Sequence, residues 1–188
     1  MVDKKANNIK IPSDFKERII KTHAEKGFAW LNDLCNVIKH AEKTYNLSNV
    51  QVLPNLSFNY TTTAMQNDGH TIIVKFCIPG SETDNEIDAL SFLHGKGIAQ
   101  LINYDRKQGI LLLEECRPGK SLANVNNDVE ATHIAANVIN NIQKPISDKL
   151  NFPTTLDWFR RLDAEVKCPL GFKTKHIDKA KHIASELH

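Results

Sequence analysis

Residues 58–119 read FNYTTTAMQNDGHTIIVKFCIPGSETDNEIDALSFLHGKGIAQLINYDRKQGILLLEECRPG. Within this stretch FNYTTTAM (58–65) and HTIIVKF (70–76) are rich in β-branched and aromatic residues and alternate in polarity, which is the pattern of strands. Asn67, Asp68 and Gly69 supply a tight hairpin turn between them. Pro79 and Gly80 stop the second of these strands, Ser81 and Glu82 open a helix through about Leu93, and Gly95 and Gly97 terminate it. Two further short strands are predicted over 99–104 and 110–115, separated by the turn DRKQG. With VQVL (50–53) as a strand on the amino-terminal side, the order is strand, strand, strand, helix, strand, strand. One helix inserted after the third of five strands predicts an α+β fold with an antiparallel sheet, not a parallel doubly wound one.

On the amino-terminal side, residues 1–11 are polar and expected to be flexible. From Pro12 the period becomes helical, with Ser13 as a cap and Phe15, Ile19 and Ile20 on one face. A second amphipathic helix is predicted over 28–45, where Trp30, Leu31, Leu34, Val37, Ile38, Ala41 and Tyr45 recur at intervals of three and four. After Pro118 and Gly119 the strands cease. Asp128 to Ile142, Thr154 to about Val166, and about His176 to Leu187 read as helices. The expected organisation is a flexible 1–11, a sheet unit with its leading helices over 12–117, and an incomplete helical unit over 118–188.

The chain has 188 residues and 41% hydrophobic content, enough for a core of its own. Lys and Arg number 24 against 22 Asp and Glu, a net charge of +2, so no single-sign field points to nucleic acid or an anionic membrane surface. The longest apolar runs, TIIV (71–74) and ILLL (110–113), fall far short of the ~20 residues a membrane helix needs. MVDKKANNIK is followed by Pro12, Ser13 and Asp14 instead of an apolar stretch, so it does not read as a signal peptide, and a cytoplasmic location is expected. Cys35, Cys77, Cys116 and Cys168 form no CxxC pair and no cluster with the eight histidines, so free thiols are expected and no metal centre.

Three segments carry candidate chemistry. Alternation puts Thr71, Ile73 and Lys75 on one face of their strand and Ile72, Val74 and Phe76 on the other, so Lys75 shares its face with an apolar side chain, an arrangement that can hold a purine beside a cation. By itself such a lysine also reads as a solvated strand end. In the following helix Glu82, Glu86, Leu90 and Leu93 line one stripe, which makes Glu86 the better partner for Lys75, since the macrodipole alone accounts for an acid at Glu82. ILLLEECRPG (110–119) is an apolar strand, a short polar stretch and a Pro-Gly turn. There Glu114, Glu115 and Cys116 can offer backbone groups to an adenine edge, although an edge strand leaving through a turn reads equally well. PNLS (54–57) reads as a β-turn, with a phosphate-covering role for its amides and Ser57 as the alternative. No GxGxxG or GxxxxGK[ST] pattern occurs.

IPSDFKERIIKTHAEKGFAWL (11–31), with its Trp30-Leu31 pair, resembles the opening of the aminoglycoside and hydroxyurea antibiotic-resistance kinases, the streptomycin 6-phosphotransferase group. The ordered set of the lysine strand, NEIDAL (85–90), LINYD (101–105), ILLLEE (110–115) and RPG (117–119) resembles their nucleotide lobe. The resemblance covers residues 11 to about 122 closely and the remainder loosely. It implies a protein-kinase-like fold: an amino-terminal lobe of a five-stranded antiparallel sheet plus one helix, preceded by two helices, and the start of a helical carboxy-terminal lobe. It also implies transfer of the ATP γ-phosphate, with Mg²⁺, to a hydroxyl of a small molecule such as an aminoglycoside. Lys75 would hold the phosphates, Glu86 would orient it, Ile73 would lie beside the base, and Glu114, Glu115 and Cys116 would form the hinge.

The family's HGDLHxxN-type catalytic loop and later metal-binding aspartate are not found in these 188 residues, so no catalytic residue and no metal ligand is assigned. The expectation is a truncated form without transfer activity, the alternatives being a noncatalytic nucleotide-binding or interaction module and an inactive gene remnant. Leu156, Phe159, Leu162, Leu170, Phe172, Ile177, Ile183 and Leu187 are expected to leave an apolar surface that a homodimer would bury, unless those helices close on one another or fray.

Overall fold

The computed structural model describes residues 9–95, 97–145, 152–159 and 174–186. By contacts the chain divides into two units, 1–145 and 146–188.

In the first unit, helix α1 (Ser13–Thr44) carries Phe15, Ile19, Trp30, Leu31, Leu34, Val37, Ile38 and Ala41 along its buried side. The helix is broken at Ala24, whose φ of 48° and ψ of −128° are not helical, so the two predicted helices are the two limbs of one kinked segment. Gly27 permits the bend: a Cβ there would stand 2.7 Å from the Ile19 carbonyl oxygen. Helix entry uses Pro12 without a side-chain cap, so Ser13 is the first helical residue and does not cap. Phe15, on the first limb, meets Trp30 on the second edge-on at 6.2 Å and Tyr60 of the sheet at 5.9 Å. Such pairs add about 0.5–1.5 kcal/mol each beyond their buried area. Ile9 and Ile11 pack against this core, and the Tyr60 hydroxyl donates to the Lys10 carbonyl.

The strands are β1 (Ser48–Val52), β2 (Tyr60–Met65), β3 (Thr71–Phe76), β4 (Leu101–Asp105) and β5 (Ile110–Glu114), with helix α2 (Ser81–Leu93) between β3 and β4. All pairings are antiparallel, in the order β1-β2-β3-β5-β4, as expected of an α+β fold. The chain leaves β3 through α2, forms β4 at the sheet edge, and returns through β5 into the centre.

Register sorts the side chains into two faces, because successive residues of a strand alternate. Thr62, Val74 and Leu112 lie in one row and Tyr60, Phe76 and Ile110 in another; all six are buried, the apolar five in the α1 core. On the opposite face Leu111 is buried with Cys77 and Ile87 of α2, and Leu90, Leu101 and Leu113 pack around them.

Beyond Pro118 the unit continues through a 3-10 turn at Leu122–Asn124 to helix α3 (Asp128–Ile142), capped by the Asn127 side chain. Lys144 donates to the Leu93 carbonyl and lies over the Phe92 ring, which ties this segment to the end of α2. In the second unit, α4 (Thr155–Phe159) and α5 (Thr174–Glu186) are described. Of the residues expected to form an apolar surface, Leu156 and Ile183 are exposed and Phe159 and Ile177 half-buried; Leu162, Leu170, Phe172 and Leu187 lie outside the described residues. No helix among the described residues is long and apolar enough to cross a membrane.

Candidate functional site

Lys75 sits in the middle of the sheet on the face away from α1, opposite Thr61 of β2 and Leu111 of β5. One row along, Ile73 lies between Thr63 and Leu113. Thr61, Thr63, Ile73, Lys75 and Leu113 are all half-buried, in contrast to the fully buried row behind them. Only the β5 side of this face is sealed by α2. What remains is a strip of Ile73 and two threonine hydroxyls beside an ammonium group, with half-buried Leu113 at its α2 edge. Thr61, Thr63 and Leu113 were not singled out from the sequence, although alternation through TTT already placed Thr61 and Thr63 on a common face.

The Lys75 ammonium donates to Glu86 Oε1 at 2.5 Å, the two side chains being 21% and 33% exposed. The pairing expected from the sequence is therefore made, although the stripe used to argue it is not the one the helix buries. Thr83 and Ile87 are the buried residues of α2; Glu82 is exposed, and Glu86 flanks the contact line. Thr83 can be buried because its hydroxyl donates to the Ile78 carbonyl at 2.8 Å, satisfying the polar group that made it look solvent-facing.

Cys77 lies two residues beyond Lys75, and burial pushes its thiol up to about 12, the nearby Lys75 charge opposing and Glu86 reinforcing the shift. It is therefore a packed neutral side chain. Glu86 also lines a hollow of ≈ 290 Å³ with His23, Lys26 and Asn59, so the bend in α1 brings basic side chains to this end of the strip. Lys26 is anchored there by donating to the Pro79 carbonyl at 2.8 Å. Neither residue was marked in the sequence, since their approach depends on the kink at Ala24. The PNLS turn is held by Arg18, which donates to the Leu56 carbonyl at 3.0 Å.

At the other end of the strip, Glu114 is fastened to Gln100: its amide donates to the Gln100 carbonyl at 3.0 Å, and its carboxylate accepts from the Gln100 amide at 2.9 Å. Glu115 is bound by Arg117 through both Nε and a terminal nitrogen. Cys116 is exposed, and its amide has no hydrogen-bond partner among the described residues. The Glu115 amide likewise has no hydrogen-bond partner among the described residues, so the amides of Glu115 and Cys116 are both unengaged.

No group of three or more His, Cys, Asp or Glu residues able to hold a metal ion is found among the described residues. Asp84 and Asp88 are engaged by Arg106, and Glu86 by Lys75. These three carboxylates of α2 are thus each paired with a basic side chain.

Over 137 residues the chain is 23% identical to the streptomycin 6-kinase of Streptomyces griseus, covering 73% of this chain and 45% of that enzyme. It is 22% identical over 131 residues to the streptomycin 6-kinase of Streptomyces glaucescens, covering 70% and 43%. The chain thus spans less than half the length of these curated relatives. No solved structure matches. The family model for aminoglycoside/hydroxyurea antibiotic resistance kinases matches residues 47–188, which takes in the whole sheet, α2 and Glu114, Glu115 and Cys116. A match of that extent, over a five-stranded α+β sheet with its lysine-glutamate pair, establishes that the chain belongs to the aminoglycoside/hydroxyurea antibiotic resistance kinase family.

Proposed function

We propose that these residues form the nucleotide-holding part of an ATP-dependent phosphotransferase with an alcohol group as acceptor, of the aminoglycoside and small-molecule antibiotic kinase type. The observation that carries this reading is the Lys75–Glu86 pair on the half-buried strip beside Ile73. The ammonium would hold the phosphates, Glu86 would orient it, and the base would lie on Ile73 with Thr61, Thr63 and Leu113 around it. The Cys116 amide would donate to the adenine edge. A charge-assisted contact of an ammonium with a polyphosphate is about twice as strong as a neutral hydrogen bond, so Lys75 would dominate the polar part of binding. Bound Mg²⁺ would neutralise charge on the phosphates, with protein ligands from outside the described residues. The acceptor would be a small molecule with a free hydroxyl, and streptomycin is the first to try, from the names of the relatives.

A second reading is a nucleotide-binding module that performs no transfer, which would make the same use of the Lys75–Glu86 pair. Calorimetric titration with ATP tests what the two share. Saturable binding of ATP with weaker binding of adenosine is expected, and no binding of either would overturn both. Radiolabelled ATP with a panel of hydroxyl acceptors then separates them. Acceptor-dependent product would exclude the module reading, and ATP binding with background transfer only is the outcome that the module reading expects.

A further inference from the structure

Helix α2 carries Glu86 but buries only a narrow line, Thr83 and Ile87, against the sheet. A helix seated on so few buried residues can roll about its own axis, and rolling would carry Glu86 away from Lys75. On the flank away from Glu86 lies a second attachment. One terminal nitrogen of Arg106 donates to the Asp84 carbonyl and carboxylate, both at 3.3 Å, and the other donates to the Asp88 carboxylate at 2.5 Å. Asp84 and Asp88 each lie two residues from Glu86, so at ~100° per residue both sit about 160° around the helix from it. The Thr83–Ile87 line runs between these flanks.

The far end of this attachment is itself held by several contacts. Arg106 stands in the turn between β4 and β5, its guanidinium 5.2 Å from the centre of the Tyr104 ring. Asp105 in the same turn accepts from the Gln108 amide at 3.0 Å. Gly109 closes the turn with φ of 68°, its carbonyl accepting from the Cys77 amide at 2.8 Å. Cys77 follows Lys75 by two residues. A closed circuit of contacts therefore runs from Lys75 along β3 to Cys77, across to Gly109 and Arg106, into α2 at Asp84 and Asp88, around the helix to Glu86, and back to Lys75.

We infer that Arg106 is a positioning residue that sets the roll of α2 and so holds Glu86 against Lys75. Its consequence for ATP rests on the nucleotide-site reading proposed above; its effect on the ion pair does not. Arg106 touches no part of the strip and is not a catalytic residue. It acts through Glu86, and the geometry it needs is the fork of a guanidinium reaching two carboxylates one helical turn apart, which a lysine meets with a single point charge.

The test reads the ion pair in the ligand-free chain. Trace acylation with acetic anhydride followed by mass spectrometry gives the labelling rate of Lys75, with the exposed Lys16 and Lys43 as internal controls. In Arg106→Gln, Lys75 is expected to label about fivefold faster than in the wild type, the factor for losing an exposed multi-point ion pair. Glu86→Gln should accelerate it at least as much, the double variant no more than Glu86→Gln alone, and Arg106→Lys only part of the way. Should Arg106→Gln fail to fold, Asp88→Asn opens the same attachment from the helix side. Wild-type labelling of Lys75 in Arg106→Gln, with unchanged controls, overturns the inference. ATP affinity is expected to fall about fivefold in Arg106→Gln while adenosine binding stays the same. A wild-type chain that binds no ATP would remove the nucleotide reading and leave the labelling result to decide on Arg106.

Discussion

A methyl group added at Gly109 meets a very different environment from one added at Gly69, although both glycines have left-handed φ, 68° and 84°. At Gly69, in the tip of the β2–β3 hairpin, a Cβ finds nothing within 4 Å. Gly69→Ala therefore carries only the left-handed penalty of an L-residue, ~1–2 kcal/mol, partly offset by the smaller entropy of the unfolded chain, for a net loss of about 1 kcal/mol. At Gly109 the same Cβ would stand 2.2 Å from the Cys77 carbonyl oxygen and 3.1 Å from its carbon. Both are backbone atoms that cannot swing aside. The turn must move off β3, which lengthens the Cys77–Gly109 hydrogen bond of 2.8 Å. Overpacking of roughly 1–3 kcal/mol and a lost hydrogen bond of about 1 kcal/mol then add to the backbone strain, so Gly109→Ala is expected to lose about 3–5 kcal/mol. Urea unfolding followed by circular dichroism measures both variants against the wild type. Equal midpoints for Gly69→Ala and Gly109→Ala would refute the argument, because the two share the backbone strain and differ only in the contact.

Lys75→Met is expected to weaken ATP binding at least about tenfold by calorimetry, since it removes a charged donor to the phosphates, and equal affinity would take Lys75 out of the site. The Cys77 thiol, pushed up to about 12 from an ordinary 9.0, stays protonated in the fold while the unfolded chain ionises. Its stabilisation is therefore complete below pH 9 and lost as pH rises from 9 towards 12, by about 1.4 kcal/mol per pH unit. Urea unfolding at pH 8 to 10.5 should show a steeper fall in the wild type than in Cys77→Ala, which keeps only the smaller loss from buried Tyr45 and Tyr60, and parallel profiles would contradict it.

The order of elements from β1 to α3 was legible because each depends on local chemistry. The change of period at FNYTTTAM, the Asn-Asp-Gly turn and the Pro79-Gly80 stop act within a few residues, and the helix at NEIDAL and the two closing strands lie where their patterns put them. Alternation alone put Lys75 beside Ile73, and helical spacing chose Glu86 over Glu82. The line that α2 buries is nevertheless Thr83 and Ile87, because burial of Thr83 depends on a hydrogen bond to Ile78 that no periodicity reveals. Tertiary structure decided what links distant residues. It inserted β5 between β3 and β4, which is why Leu111 and Leu113 flank Lys75 and Ile73. It bent α1 at Ala24, bringing His23 and Lys26 to the hollow beside Glu86. It laid Arg106 across to Asp84 and Asp88, 22 and 18 residues earlier in the chain. A turn arginine and two helix acids carry no mark of one another in the sequence, since their attraction exists only once β4 and α2 have packed on the same sheet.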